Sequence, residues 1–278
     1  MSYFRRLLPY LLIMPSFMVS LLFFVVPLVF LVIMSFTEGS SFFFKPIVTF
    51  GNYRTVFTSY LIDIRNTVLL ASVAATIDVL IGYPYAYFMV RRVRKFGDLF
   101  RSILLFPLLG ELYIAYGFWW LFLPGGPLAF ILEAFGISPF ALLYSPLAAT
   151  LALAVYTLPF TILQIGISLS QIDPVYEESA NCLGSGPLRR LIYILLPLSL
   201  PGILSGWLIS FGWNIGAYAI PFLMGGAIVG QRVLSVQIRA VGLLMMNFGL
   251  AAALATILVV MSTTLTYISF KISKGVMV

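Results

Sequence analysis

Apolar residues run along this chain in long stretches interrupted by short polar segments. Six of these stretches reach about the 20 residues that a helix needs to cross the hydrocarbon core of a membrane: 7–36, 66–90, 102–122, 144–169, 197–223 and 247–270. None shows the polar–apolar alternation of a barrel strand. A helix satisfies its own backbone hydrogen bonds, as lipid demands of any segment that spans it. The pattern predicts an all-α integral membrane protein with six transmembrane helices. No repeat, low-complexity tract or flexible linker divides it, so residues 1–278 read as a single transmembrane domain.

Composition agrees with that solvent. The 278 residues are 62% hydrophobic and 9% charged, with a mean hydropathy of +1.08, whereas a soluble domain carries about 25% charged residues. Arg5 and Arg6 precede an apolar run of about 30 residues, too long for the 7–15-residue core of a cleavable signal, so an anchor is expected there. With the amino terminus inside, Arg5, Arg6, Arg91, Arg92, Arg94, Lys95, Arg101, Arg189, Arg190, Lys271 and Lys274 fall on the cytoplasmic side. Lys45, Arg54, Arg65, Arg232 and Arg239 fall outside. Cytoplasmic loops carry such an excess, so both termini are expected in the cytoplasm. The short basic connection at 91–101 reads as a topology anchor. The net charge of +7 suits anionic lipid headgroups and calls for no nucleic acid.

Much chemistry is excluded. The chain has no histidine and a lone cysteine, Cys182, which leaves no intrachain disulfide and no Cys/His metal set. No catalytic constellation stands out, and no Gly-x-x-x-x-Gly-Lys-[Ser/Thr] loop is present to cradle a nucleotide phosphate. Neither enzyme activity nor a cofactor nor a metal is expected, and energy from ATP has to arrive through a partner.

The connection at 170–196 differs from the other loops. It is too long for a minimal turn between two spans, and it has internal order. Asp173-Pro174 is a helix start, with an N-cap side chain ahead of proline at the first helical position. Glu177 and Glu178 lie early in that helix, where the dipole favours negative charge. Gly184 closes it as a C-terminal glycine does. A second short helix is expected from about 185–187, carrying Arg189 and Arg190 and running to Pro197. Two short helices joined at a glycine would form a knob on the cytoplasmic face.

Glu178-Ser179-Ala180, three residues, Gly184, nine residues, Ile194, one residue and Leu196-Pro197 resemble the EAA loop of bacterial ABC importer permeases. In that family the pattern is Glu-Ala-Ala, three residues, Gly, nine residues, Ile-x-Leu-Pro. Every spacing matches, and Ser179 replaces the first alanine. Phe50-Gly51-Asn52-Tyr53, Gly82-Tyr83-Pro84-Tyr85-Ala86, and Gly216-Ala217-Tyr218-Ala219-Ile220-Pro221 with Gly225-Gly226 look like the spermidine/putrescine-type permeases, and more like the first of their two paired subunits. The resemblance implies a type I importer transmembrane domain in the cell inner membrane. It implies three partners: a cytoplasmic ATPase dimer, a second, related permease, and an extracytoplasmic solute-binding protein. It also implies that Glu177, Glu178, Ser179, Ala180 and Gly184 dock the ATPase. Relatives that import ferric iron, thiamine, phosphonates or opines share these weaker flanking segments. An ion-coupled secondary transporter would also be a polytopic bundle, but has no use for this loop.

Inside the spans, Asp78 and Glu111 are carboxylates with no lysine or arginine at the same depth. Ionisable groups there are costly and usually face a cavity or the bundle interior. Either the two acids are protonated, or a partner permease neutralises them, or they face a water-filled path for a cation. The polyamine-type resemblance accords with the last and makes both candidates for the solute path, while Asn214 is a candidate for the path or for interhelical glue. Gln164 reads as interhelical glue, and Tyr83, Tyr85, Tyr87, Tyr113 and Tyr116 as packing or interface residues.

Overall fold

A computed structural model describes residues 14–37, 48–91, 102, 107, 110–136, 142–225 and 232–276. The expectations for Arg5, Arg6, Lys45, the basic segment 92–101 and Gly226 lie outside the described residues. So does most of the stretch 101–109. The described elements are helices: α1 (Met14–Ser35), α2 (Gly51–Ser59), α3 (Leu61–Arg91), α4 (Glu111–Leu121), α5 (Pro127–Ala134), α6 (Pro146–Gln171), α7 (Pro174–Cys182), α8 (Pro187–Gly216), α9 (Ala219–Leu223), α10 (Leu234–Leu244) and α11 (Phe248–Val276). Apart from one antiparallel bridge between Thr37 and Val48, the described residues pair no strands. Helices α1, α3, α6, α8 and the segment Phe248–Ile268 of α11 are each long and apolar enough to cross a membrane. The remaining expected span, 102–122, third in chain order, is described only from Gly110 onward as a continuous segment, and there α4 is eleven residues long.

Two boundaries differ from expectation. The second short helix of the knob is not separate: α8 runs unbroken from Pro187 to Gly216 through a five-residue π turn at Leu191–Leu195. That turn ends two residues before Pro197, whose ring has no N–H to donate and crowds the preceding turn of a regular helix. The fifth span was also expected to reach residue 223, yet α8 ends at Gly216, the backbone turns extended at Ala217, and α9 starts anew.

The chain divides into two compact units, Met1–Leu61 with Gln237–Ile257, and Ile62–Val236 with Leu258–Val278. In the first unit, the Phe50–Tyr53 motif secures the end of α1. Asn52 Nδ2 donates to the carbonyls of Ser35 and Thr37 at 3.0 and 2.9 Å, the first an acceptor that the helix C-terminus leaves open and the second just beyond it. Tyr53 OH lies 2.7 Å from Ser35 Oγ, and Phe36 packs on Phe50 and Tyr53. Gly249 comes so close that a Cβ there would lie 2.5 Å from the Thr37 carbonyl.

In the second unit, α6 and α8 pack face to face. Gly202 and Gly206, one turn apart on α8, meet Ser168 and Thr161 of α6, the close approach that small residues permit in lipid. One apolar cluster joins α4, the first half of α6 and α9, with Leu153 and Ile220 at its centre. Another joins the second halves of α3 and α6 to the start of α8 through Tyr83, Ile162, Ile165, Leu169 and Leu195.

Candidate functional site

Helix α7 forms as its sequence dictates. The Asp173 carboxylate accepts the Val175 N–H at 2.9 Å, and Pro174 occupies the first helical position. At the other end Gly184 takes φ +77°. The Ser185 N–H reaches the Ala180 carbonyl at 2.9 Å, and the Gly184 N–H reaches Asn181 at 3.0 Å; this paired closure needs a left-handed residue. No residue of α7 is buried. Leu183 is 88% exposed, Val175 and Tyr176 are exposed, and so is Cys182. The knob therefore presents an apolar, cysteine-bearing surface from a helix that the chain itself does not cover.

Glu177, which the resemblance puts at the ATPase dock, also has a partner within the chain. Its Oε1 lies 2.8 Å from Nε of Arg91, with both side chains only about 15% exposed. Arg91 also donates through Nη2 to the Ile172 carbonyl at 2.7 Å. The pairing spans 86 residues, and helix periodicity carries no signal for it; Arg91 looked like a topology anchor and nothing more. Glu178, Ser179 and Ala180 remain on the uncovered helix.

The three path candidates separate. Asp78 is completely buried and Asn214 is 4% exposed. They face the seam among α3, α6 and α8 rather than open space. Thr157 and Ser210 each donate a hydroxyl to Asp78 Oδ2 at 2.6 Å, and Asn214 Nδ2 donates to Thr157 and Ser210 at 3.0 and 3.2 Å. Ser210 and Asn214 are four apart, so they share the α8 face that meets α6. Thr157 and Ser210 were missed, because a threonine or serine within a span bonds its own helix by default; Thr157 is also within 3.0 Å of the Leu153 carbonyl.

Glu111 occupies different ground. It begins α4 after Gly110 (φ +132°) rather than sitting inside a continuous helix, and its Oε1 accepts the Ile220 N–H at 2.9 Å. It lines a cavity of about 540 Å³ together with Tyr156, Trp213, Gly212, Ser262 and Thr266. The Trp213 ring stacks on Phe160 at 5.2 Å and meets Tyr156 edge-on at 6.3 Å. A carboxylate beside aromatic faces attracts cations, by charge and by the ring quadrupole. Among the described residues no group of three or more acidic or cysteine side chains could hold a metal.

No family model matches the chain. It is 29% identical over 243 residues to the spermidine/putrescine transport system permease protein PotB of Haemophilus influenzae, covering 85% of this chain and 83% of that one. It is 27% identical over 234 residues to the inner membrane ABC transporter permease protein YdcU of Escherichia coli, covering 78% and 73% respectively. A bacterial ABC transporter that imports the acidic polysaccharide alginate contains a chain that superposes with a TM-score of 0.80 at 19% identity, over 98% of this chain and 97% of that one. This chain is thus a multi-pass helical membrane protein with the fold of an ABC-importer transmembrane subunit, similar in sequence over most of its length to a spermidine/putrescine transport system permease and to an inner membrane ABC transporter permease.

Proposed function

We propose that this protein is the solute-conducting permease subunit of a binding-protein-dependent ABC importer for a cationic organic solute of the polyamine kind. The observation that carries the reading is α7, an uncovered helix between two membrane-spanning helices, closed at Gly184 and carrying the Glu178-Ser179-Ala180 spacing. Such a helix docks into a cytoplasmic ATPase dimer, whose closure on ATP moves the spans and alternates access to the interior. The small side chains Ser179 and Ala180 allow close approach, and Glu178 pairs with basic groups of the partner. Six spans, with 102–122 as the third, place both termini and α7 in the cytoplasm within one permease domain. A second, related permease completes the path, and an extracytoplasmic binding protein delivers the solute.

Glu111 is the acid of the path. Its cavity is lined by this one carboxylate, the aromatic side chains of Tyr156 and Trp213, and Ser262 and Thr266, a set that suits an ammonium group on an aliphatic chain. The similarity to PotB supports the same solute class. The test is ATP-dependent uptake of radiolabelled spermidine by the reconstituted complex of both permeases, ATPase and binding protein. Glu178→Lys should abolish uptake while membrane levels stay normal, and Glu111→Gln should reduce it strongly. Selection of an anion such as molybdate, or of a neutral sugar, by the cognate binding protein would overturn the solute class.

A further inference from the structure

Helix α7 has no buried residue of its own, so something other than apolar packing must hold its direction. Its carboxyl end offers little, since Gly184 and Gly186 have open space around them and Leu183 is 88% exposed. Its amino end is different. Only Ile172 and Asp173 separate α6 from α7, and Arg91, the last residue of α3, grips both sides of that turn. One arm of the guanidinium donates to the Ile172 carbonyl at 2.7 Å, and Nε meets Glu177 Oε1 at 2.8 Å. Both side chains are about 15% exposed, so water screens the pair less than it would on an open surface. The guanidinium reaches the carbonyl through one nitrogen and the carboxylate through another, which the single nitrogen of a lysine does not do.

We propose that Arg91 is a positioning residue of the coupling apparatus: through Glu177 and the Ile172 carbonyl it ties α7 rigidly to the end of α3, so that a push on α7 displaces α3 rather than swinging the knob. This rests on the reading of α7 as the ATPase dock. The load then has a defined route. Thirteen residues before Arg91, Asp78 of the same helix is hydrogen-bonded to Thr157 of α6 and Ser210 of α8. Motion of α3 is thereby shared with both helices whose seam adjoins the Trp213 cavity.

Two measurements separate the latch from the transport reading. The first is hydrogen exchange of the α7 amides in the purified full-length permease in lipid nanodiscs, which needs no partner and no solute. Arg91→Ala, which removes both the ion pair and the hydrogen bond to the Ile172 carbonyl, should speed exchange of the first two turns of α7 by about tenfold, the worth of one hydrogen bond to a charged group, and Glu177→Gln, which removes the ion pair alone, should speed it by less. Arg91→Lys, which keeps the topology-setting charge but loses the fork, should fall between. The second is spermidine moved per ATP hydrolysed in the reconstituted complex. This ratio should fall several-fold in Arg91→Glu and in Glu177→Arg and recover substantially in the double variant, which restores the ion pair with its charges reversed. Unchanged exchange in Arg91→Ala would sink the latch. Faster exchange with an unchanged ratio would leave α7 held by Arg91 but remove its part in coupling. Absence of ATP-dependent uptake by the wild type, with exchange behaving as expected, would remove the transport reading and confine Arg91 to holding the helix.

Discussion

The α6–α8 seam offers a sharp test of how this protein is held together, because two glycines of one helix sit in opposite surroundings. A Cβ added at Gly202 would lie 2.3 Å from Ser168 Cβ, 2.9 Å from its Oγ and 3.0 Å from the Gln164 carbonyl, whereas one added at Gly212 meets nothing within 4 Å. Ordinary contact begins near 3.4 Å, so Gly202→Ala forces the two helices apart by about 1 Å, and close-packed interiors do not absorb such a shift freely. Overpacking of this kind costs typically about 1–3 kcal/mol. Separation also loosens Gly206 from Thr161, whose hydroxyl donates to the Gly206 carbonyl at 3.2 Å. Gly212→Ala adds only the helix preference of alanine over glycine, a gain of up to about 1 kcal/mol. Thermal unfolding of the purified variants in one detergent reads the difference directly. Domains near this size shift by roughly 2–4 °C for each kcal/mol, so Gly202→Ala should melt several degrees below wild type and Gly212→Ala at or above it. Ser168→Gly, introduced into Gly202→Ala, removes the two nearest clashing atoms and should recover part of the loss. Equal melting of the two alanine variants, or no recovery with Ser168→Gly, would refute the claim that backbone approach at Gly202 sets the seam.

Three further outcomes follow from the site geometry. At Gly184 the backbone conformation, not space, is the constraint, so Gly184→Asn should keep most uptake while Gly184→Val loses it, asparagine being the side chain that best tolerates φ above zero; uptake of the two variants side by side decides. Asp78→Ala removes the shared acceptor of the Thr157 and Ser210 hydroxyls, which retain the Leu153 carbonyl and Thr157 Oγ1 as acceptors, and should cost about 1–3 kcal/mol in all, whereas Asp78→Asn keeps an acceptor and should cost less, as thermal unfolding will show. Cys182 is exposed on the same helix as Glu178, so a maleimide should label it quickly in the isolated permease and slowly in the full complex; equal rates in both would remove α7 from the dock.

Span positions, the start and stop of α7 and the left-handed Gly184 are local properties. They depend on residues within a few positions of one another: a run of apolar side chains that must leave water, an aspartate ahead of a proline, a glycine where only a residue without Cβ is comfortable. A single sequence carries such information in full, and the EAA spacing that marks this loop is local as well. Two boundaries shifted for an equally local reason: a π turn fits Pro197 into α8, and the backbone breaks at Ala217, where apolar composition alone runs on to residue 223. The use made of each polar residue was decided by partners far along the chain. Glu177 turned inward because Arg91 ends α3 beside the α6–α7 turn. Asp78 and Asn214 went into a helix seam because Thr157 and Ser210 supply hydroxyls there, and Glu111 came to a cavity because α9 offers a backbone N–H to one of its oxygens. A buried polar group goes wherever its hydrogen bonds can be met, and for these residues the tertiary packing of the helices sets that place, which no periodicity in the sequence records.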